Sequence, residues 1–330
     1  MSRIADTHDE LYHYTTADGL SGILKDKCLW ATHASFVNDE EEIVGFYARI
    51  LPEILCPIHR KYLENIKDDP EFKKRLGNSP FDSYCKEGFE KIMSRIRSAT
   101  SNWHDHYITS FSTVEKGNHF VREHGLLSQW RAYGSDGGYA VILDTDQLEK
   151  IASEETKPYE DVLYFGDVQY GPLNENLRTS DTDTNQWIKQ LEIAADKYFR
   201  SGTAKDAEEL ARPLTTLSCV FKHFGFSEEK EVRLVLSLLG PKLEHYPELQ
   251  SVRQHAVKTR IREGTTVPYV DLCVRVENGV KQHLPIKRII VGPHRDKNDR
   301  KRAVQLLLKQ HGLNDLIDKV DVSDISYRGG

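Results

Sequence analysis

The sequence predicts an α+β fold whose sheet is interrupted by helical insertions. Three observations lead there. Strand-like and helix-like segments do not alternate regularly, which argues against a doubly wound parallel sheet. Two stretches, about 40–101 and about 180–225, read as mostly helical. No internal repeat or low-complexity tract marks a solenoid or a disordered tail. At 330 residues, against a typical domain of about 100–200, one large domain with insertions and two smaller domains both fit.

In chain order, Leu11 to Thr15 has the two-residue period of a strand. Leu20, Ile23 and Leu24 then mark one face of a short helix, with Thr16 or Asp18 as its N-cap. Cys28 to Thr32 reads as a second strand. Asn38 or Asp39 begins the first helical insertion, which breaks near Pro70 and again at Gly77 to Pro80. Tyr107 to Ser112 reads as a strand, and Trp130 to Tyr133 as the start of another. Gly137-Gly138 supplies a tight turn into the apolar strand Tyr139 to Leu143. Val162 to Tyr164 and Val168 to Tyr170 flank Gly166-Asp167 as a hairpin or a kinked strand. Gln186 to Arg200 and Ala204 to Phe224 form the second helical insertion, with Pro213 bending or restarting it. Strands follow at Val232 to Leu236, Thr266 to Val276 and Ile286 to Val291. An amphipathic helix, Asp296 to His311, is closed by Gly312, and Val320 to Val322 makes a last strand.

Composition narrows the function classes. Hydrophobic residues make up 38% and charged residues 29%, as in a soluble globular protein. The net charge of −6, from 45 basic and 51 acidic residues, argues against a dominant nonspecific nucleic-acid surface but allows a local basic groove. No stretch approaches the roughly 20 apolar residues of a membrane span, and Met1 to Glu10 has no signal-peptide pattern. Five scattered cysteines without a CxxC pair suggest reduced thiols in a cytoplasmic protein. There is no GxGxxG, Walker or GxSxG motif. His104 and His106 have no third ligand at a recognisable spacing, so no metal is expected.

Four clusters carry candidate chemistry. His13 and Thr15 share a strand face just before a helix N-terminus, whose free N–H groups suit an anion. An ordinary half-buried strand histidine accounts for His13 as well. Thr109 to Ser112 carries three hydroxyls, including Ser110 and Ser112. Trp130, Arg131 and Tyr133 offer either a stacking surface beside a cation or core packing. Glu229 and Glu231, two apart on a strand, point the same way. Such a pair raises one carboxyl pKa when buried, or stabilises an oxocarbenium-like charge on a sugar; a solvated acidic strand entrance is the alternative.

Together these segments resemble a bacterial domain-of-unknown-function family, number 2971. The resemblance rests on Leu11-Tyr12-His13-Tyr14-Thr15 with Gly19-Leu20, Leu29 to Thr32 and Asn38-Asp39-Glu40. It continues through Ile108 to Ser112, Ser128 to Gly134 and Phe221-Lys222-His223, then Phe226 to Leu234 and Ile289 to Pro293. That family in turn looks like a distant relative of the ADP-ribosyltransferases. The resemblance implies a split β-sheet core in one domain over 1–330, and NAD as substrate. It makes His13 the anchor of the adenosine ribose, with Tyr14 (where glycine is usual) narrowing that side and Thr15 on NAD polar groups. Ser110 or Tyr133 is the middle motif residue, with Ser112 beside it. Tyr133 or Trp130 stacks on the nicotinamide, and Arg131 meets the pyrophosphate. Glu231 holds the nicotinamide ribose, and Glu229 orients or deprotonates the acceptor. The implied activity is transfer of ADP-ribose to RNA, DNA or protein, as a toxin or phage-defence effector with an antitoxin partner and no membrane. NAD glycohydrolysis and a non-catalytic nucleotide or nucleic-acid module are the alternatives.

Overall fold

Strand β1 (Glu10–Thr15) lies next to the middle of a ten-stranded sheet. The computed structural model describes residues 3–37, 45–100, 104–133, 137–156, 162–171, 173, 178–179, 181–239, 255–262 and 264–326. The proposed cap at Asn38 or Asp39 lies outside them. Thr16 caps the helix Ala17–Asp26, its Oγ1 accepting the Gly19 N–H at 3.2 Å. Asp18 sits in the first turn, where the helix dipole favours its charge.

The other strands are β2 (Leu29–His33), β3 (His104–Ser112), β4 (Tyr139–Asp144), β5 (Val162–Asp167), β6 (Gln169–Tyr170) and β7 (Phe221–Lys222). Then come β8 (Glu231–Leu239), β9 (Lys258–Arg262), β10 (Thr265–Leu272), β11 (Val276–Glu277), β12 (Val280–Lys281), β13 (Ile286–Val291) and β14 (Val320–Val322). The main sheet runs β14-β13-β4-β1-β3-β2-β10-β9, with β8 on β3 and β5 on β8. All its pairings are antiparallel except β13 with β14, so the fold is α+β around a mixed sheet.

The sheet forks at β3. One edge pairs with β8 throughout, His104 to Ser112 against Leu239 to Glu231. The other edge meets β1 at Ser112 and β2 at Tyr107 and Ile108. Between those contacts the Ser110 carbonyl is taken by a side chain, His13 Nδ1 at 3.1 Å.

Residues paired across strands share a face. Tyr12 pairs Ser112, Ser112 pairs Glu231, and Ser110 pairs Arg233. These residues therefore lie on one face, and His13 projects from the other. Leu11, Phe111, Val141 and Val232 pack on the His13 face against Leu20, Ile23 and Leu24 of the first long helix. Tyr12, Tyr14, Trp130, Ala140 and Ile142 form a second core on the opposite face. The two helical insertions share a third core, in which Phe46, Leu51 and Met93 join Trp187, Leu191 and Leu214.

Three expectations are corrected. The segment Leu127–Tyr133 is a helix and not the start of a strand. Leu126, Trp130 and Tyr133 fall at i, i+4 and i+7 and pack on the Tyr12 core, so the apolar period is helical. The helix from Ala204 ends at Ser218, and β7 follows it in parallel with β6. Val162 to Tyr170 is accordingly two strands with different partners, β5 on β8 and β6 on β7, and not a hairpin. Strand β9 was unforeseen: Lys258 to Arg262 is charged, and its strand state comes from pairing with β10.

Gly22 marks a close approach between helix and strand. A Cβ there would lie 2.1 Å from the Trp30 ring. Gly22→Ala is expected to cost about 1–3 kcal/mol by overpacking, read as a lowered urea midpoint with unchanged m-value.

Candidate active site

The turn into β8 builds the site. Residues Phe224–Glu229 form a 3-10 turn, and Lys230 takes a left-handed conformation at φ +43°. The end of β3 pins this turn. Ser112 Oγ donates to the Glu229 carbonyl at 2.5 Å, and the Thr113 N–H and hydroxyl both donate to the Lys230 carbonyl at 3.0 Å. Glu231 then opens β8, its N–H donating to the Tyr170 hydroxyl at 2.8 Å.

Glu229 and Glu231 are brought together, though not by strand alternation. Lys222 bridges them, its Nζ 2.8 Å from Glu229 Oε2 and 3.0 Å from Glu231 Oε2. Arg233 grips Glu231 with two prongs, Nε to Oε1 at 2.7 Å and Nη2 to Oε2 at 3.1 Å, and its Nη1 donates to the Cys219 carbonyl at 2.8 Å. The Ser110 hydroxyl adds another hydrogen bond to Glu231. Burial pushes the Glu231 carboxyl up, but the Arg233 and Lys222 charges outweigh it and hold the pKa at about 2. Glu231 is 5% exposed and fully ionised at neutral pH. It can accept hydrogen bonds and stabilise positive charge, but it cannot exchange a proton. Glu229 lies nearer solvent, its side chain 17% exposed.

Tyr133 borders this cluster. Burial, then the charge of Glu231, raises its hydroxyl to about 12, so it stays a neutral donor. Its ring packs beside Trp130 and Tyr12. Trp130 itself is 1% exposed, donates Nε1–H to the His124 carbonyl at 3.0 Å and stands edge-on to Tyr14 at 4.8 Å. The Tyr14 hydroxyl accepts the Leu126 N–H at 2.8 Å. Both rings are core groups that knit helix Leu127–Tyr133 to β1. Arg131 is exposed on that helix.

His13 is not brought to Glu231. It projects from the other face beside Phe111, at 5.8 Å between ring centroids. A carbonyl only accepts, so Nδ1 carries the proton toward Ser110 and Nε2 keeps a lone pair. Burial lowers the His13 pKa, which keeps the ring neutral. Thr15 abuts the helix start, where a Cβ on Gly19 would come 1.9 Å from its hydroxyl. His106, of the pair considered for metal, has Nδ1 3.0 Å from Ser237 Oγ.

Sequence reasoning missed Lys222, Arg233 and Tyr170 as members of the site. Arg233 carried a legible signal: a cation amid Val232, Leu234, Val235 and Leu236 must find a buried counter-charge. Lys222 and Tyr170 carried none, because they arrive on the short parallel pair β6–β7.

The model of a family described as "Protein of unknown function (DUF2971)" matches residues 129–234. The matched segment runs from helix Leu127–Tyr133 to the first residues of β8, so it contains Tyr133, Lys222, Glu229, Glu231 and Arg233. His13 and Ser110 precede it. No curated protein and no solved structure matches the chain. Among the described residues, no helix is long and apolar enough to cross a membrane.

Proposed function

We propose that the chain built around this DUF2971 segment is an ADP-ribosyltransferase that cleaves NAD and passes ADP-ribose to a nucleic acid or a protein. One observation carries the reading: Glu231 is ionised and buried beside hydroxyls, with a second carboxylate 2.8 Å away from the same lysine. The fork of the sheet at Ser110 is also what a split-sheet core would need.

In this reading the bond from the nicotinamide nitrogen to the ribose breaks, and its electron pair leaves with nicotinamide. The positive charge left on the ribose is stabilised by Glu231 through the 2′-hydroxyl. Tyr133 lines the nicotinamide side. Glu229 takes the proton of the attacking acceptor, leaving its electron pair to form the new glycosidic bond. His13, on the opposite face, acts by holding the Ser110 carbonyl and thus the strand that carries Ser110 and Ser112.

A second reading has an observation of its own. A carboxylate offers about four acceptor positions, and Arg233, Lys222 and Ser110 engage all of them. A strut in a non-catalytic nucleotide or nucleic-acid module needs no more than that.

The deciding experiment incubates the chain with labelled NAD and cell extract, followed by mass spectrometry of protein and nucleic acid. Nicotinamide release with labelled macromolecule is the expected result. Nicotinamide without label indicates a glycohydrolase, and NAD bound but uncleaved indicates the module. In cells, a toxin or phage-defence role predicts that the wild type slows growth while Glu231→Ala does not, and that an antitoxin partner restores growth. Equal growth of both strains argues against toxicity.

A further inference from the structure

A second cluster lies along β2, β10 and β9, beside the helix Ala17–Asp26, whose Gly22 meets the Trp30 ring. Tyr269 pairs Thr32, Asp271 pairs Trp30, Val267 pairs Arg260 and Thr265 pairs Arg262. This register puts Trp30, Thr32, Tyr269, Arg260 and Arg262 on one face. The Arg260 guanidinium stacks 4.8 Å from the centre of the Trp30 ring and 5.7 Å from that of Tyr269. Its Nη2 donates to Thr32 Oγ1 at 3.0 Å. Arg262, two residues on, reaches the Phe36 carbonyl.

The charges here are not balanced. Lys258, on the same strand, has Asp271 at 2.5 Å. Arg260 and Arg262 have no carboxylate partner among the described residues, and the strongest charge effect on Arg260 is the repulsion from Arg262. Two buried donors on these stacked side chains also lack an acceptor, Arg260 Nε–H and Trp30 Nε1–H. A half-buried guanidinium beside a second one, with orphaned N–H groups between aromatic rings, is a costly arrangement unless an anion completes it. Arginine's planar fork matches the non-bridging oxygens of a phosphate, and two arginines suit one better than a single carboxylate. Spaced two residues apart on a strand, they stand about 6.6 Å apart.

We propose that Arg260 and Arg262, with the Trp30 indole N–H, form a binding site for a phosphate ester. The ester is either the diphosphate of a dinucleotide or the phosphodiester backbone of a nucleic acid. The site shares no residue with the Glu231 cluster, and it stands without any transfer reaction.

The test titrates the full chain with pyrophosphate, with ADP-ribose and with a labelled single-stranded oligonucleotide. Arg260→Gln is expected to weaken binding at least tenfold and to lower the salt slope of log K by about one; Arg260→Lys recovers part of it. Loss confined to ADP-ribose identifies a dinucleotide diphosphate, and loss confined to the oligonucleotide identifies a nucleic-acid backbone. In the wild-type chain, the ¹⁵N-resolved Arg260 Nε–H signal, assigned by its absence from Arg260→Lys, is expected to shift on adding pyrophosphate, independently of how any variant folds. Unchanged affinity of Arg260→Gln for all three probes overturns the proposal. So does a stationary Nε–H signal, or competition by succinate equal to that by pyrophosphate. NAD cleavage is read separately: pyrophosphate and the oligonucleotide carry no nicotinamide ribose, so their binding reports on Arg260 whether or not the chain cleaves NAD, and the two ideas fail independently.

Discussion

Replacing Arg233 by methionine is expected to cost about 3–5 kcal/mol of stability at pH 7, because it strands the buried Glu231 charge. Arg233 supplies two of the hydrogen bonds to that carboxylate and one to the Cys219 carbonyl. Methionine fills much of the volume, so the loss reports on charge more than on a cavity. The pH dependence separates the two. In the wild type, the Glu231 pKa is lowered from 4.5 to about 2 in the folded state, which corresponds to about 3 kcal/mol. That contribution is complete above pH 4.5 and is lost as pH falls toward 2. Without Arg233, burial is opposed by Lys222 and Ser110 alone, and the folded pKa rises from about 2. The variant therefore loses most at high pH, and protonation of Glu231 narrows the deficit as pH falls. Urea unfolding at pH 7 and pH 4 should therefore show the gap between variant and wild type closing in acid. A gap of equal size at both values means that packing and not charge was lost. Arg233→Lys keeps the charge but not the two-pronged grip, and should lose about 1–2 kcal/mol.

The same residues explain how much of the architecture could be read in advance. β1, β4 and β13 announce themselves because alternating or continuous apolar residues face two cores. Thr16 was legible as a cap because a short hydroxyl before an apolar period has one common use. Strand β9 was not legible. Lys258, Arg260 and Arg262 have no apolar pattern, and only pairing with β10 makes them a strand. In the candidate site, Glu229 and Glu231 were legible as a pair, but the reason was different. Glu229 ends a 3-10 turn, Lys230 turns the chain at positive φ, and Lys222 from β7 pulls the two carboxylates together. Such convergence depends on contacts between residues far apart in the chain. Face parity hides in the same way. His13 and Glu231 each sit on a recognisable strand, yet the register Tyr12–Ser112–Glu231 sends their side chains to opposite faces.

Glu231→Gln is expected to lower the rate of nicotinamide release by about 10²–10³, with little change in KM for NAD, if the carboxylate acts on charge that develops only in the transition state. Glutamine keeps the shape, and its single carbonyl oxygen can accept on one side, but its NH2 faces a donor on the other and it brings no negative charge. The variant is also less stable, since Arg233 loses its counter-charge, so its rate is compared at a temperature where circular dichroism shows it folded. Glu229→Gln provides the contrast. It should reduce transfer to the acceptor more than it reduces NAD cleavage, because Glu229 is assigned to the attacking group. The pH profile sharpens the assignment. With Glu231 held at about 2 and Tyr133 raised to about 12, neither group places a limb between pH 5 and 9. Turnover by Glu231→Gln within threefold of wild type would reduce Glu231 to a strut between Arg233 and Lys222, and the transferase reading would fall with it.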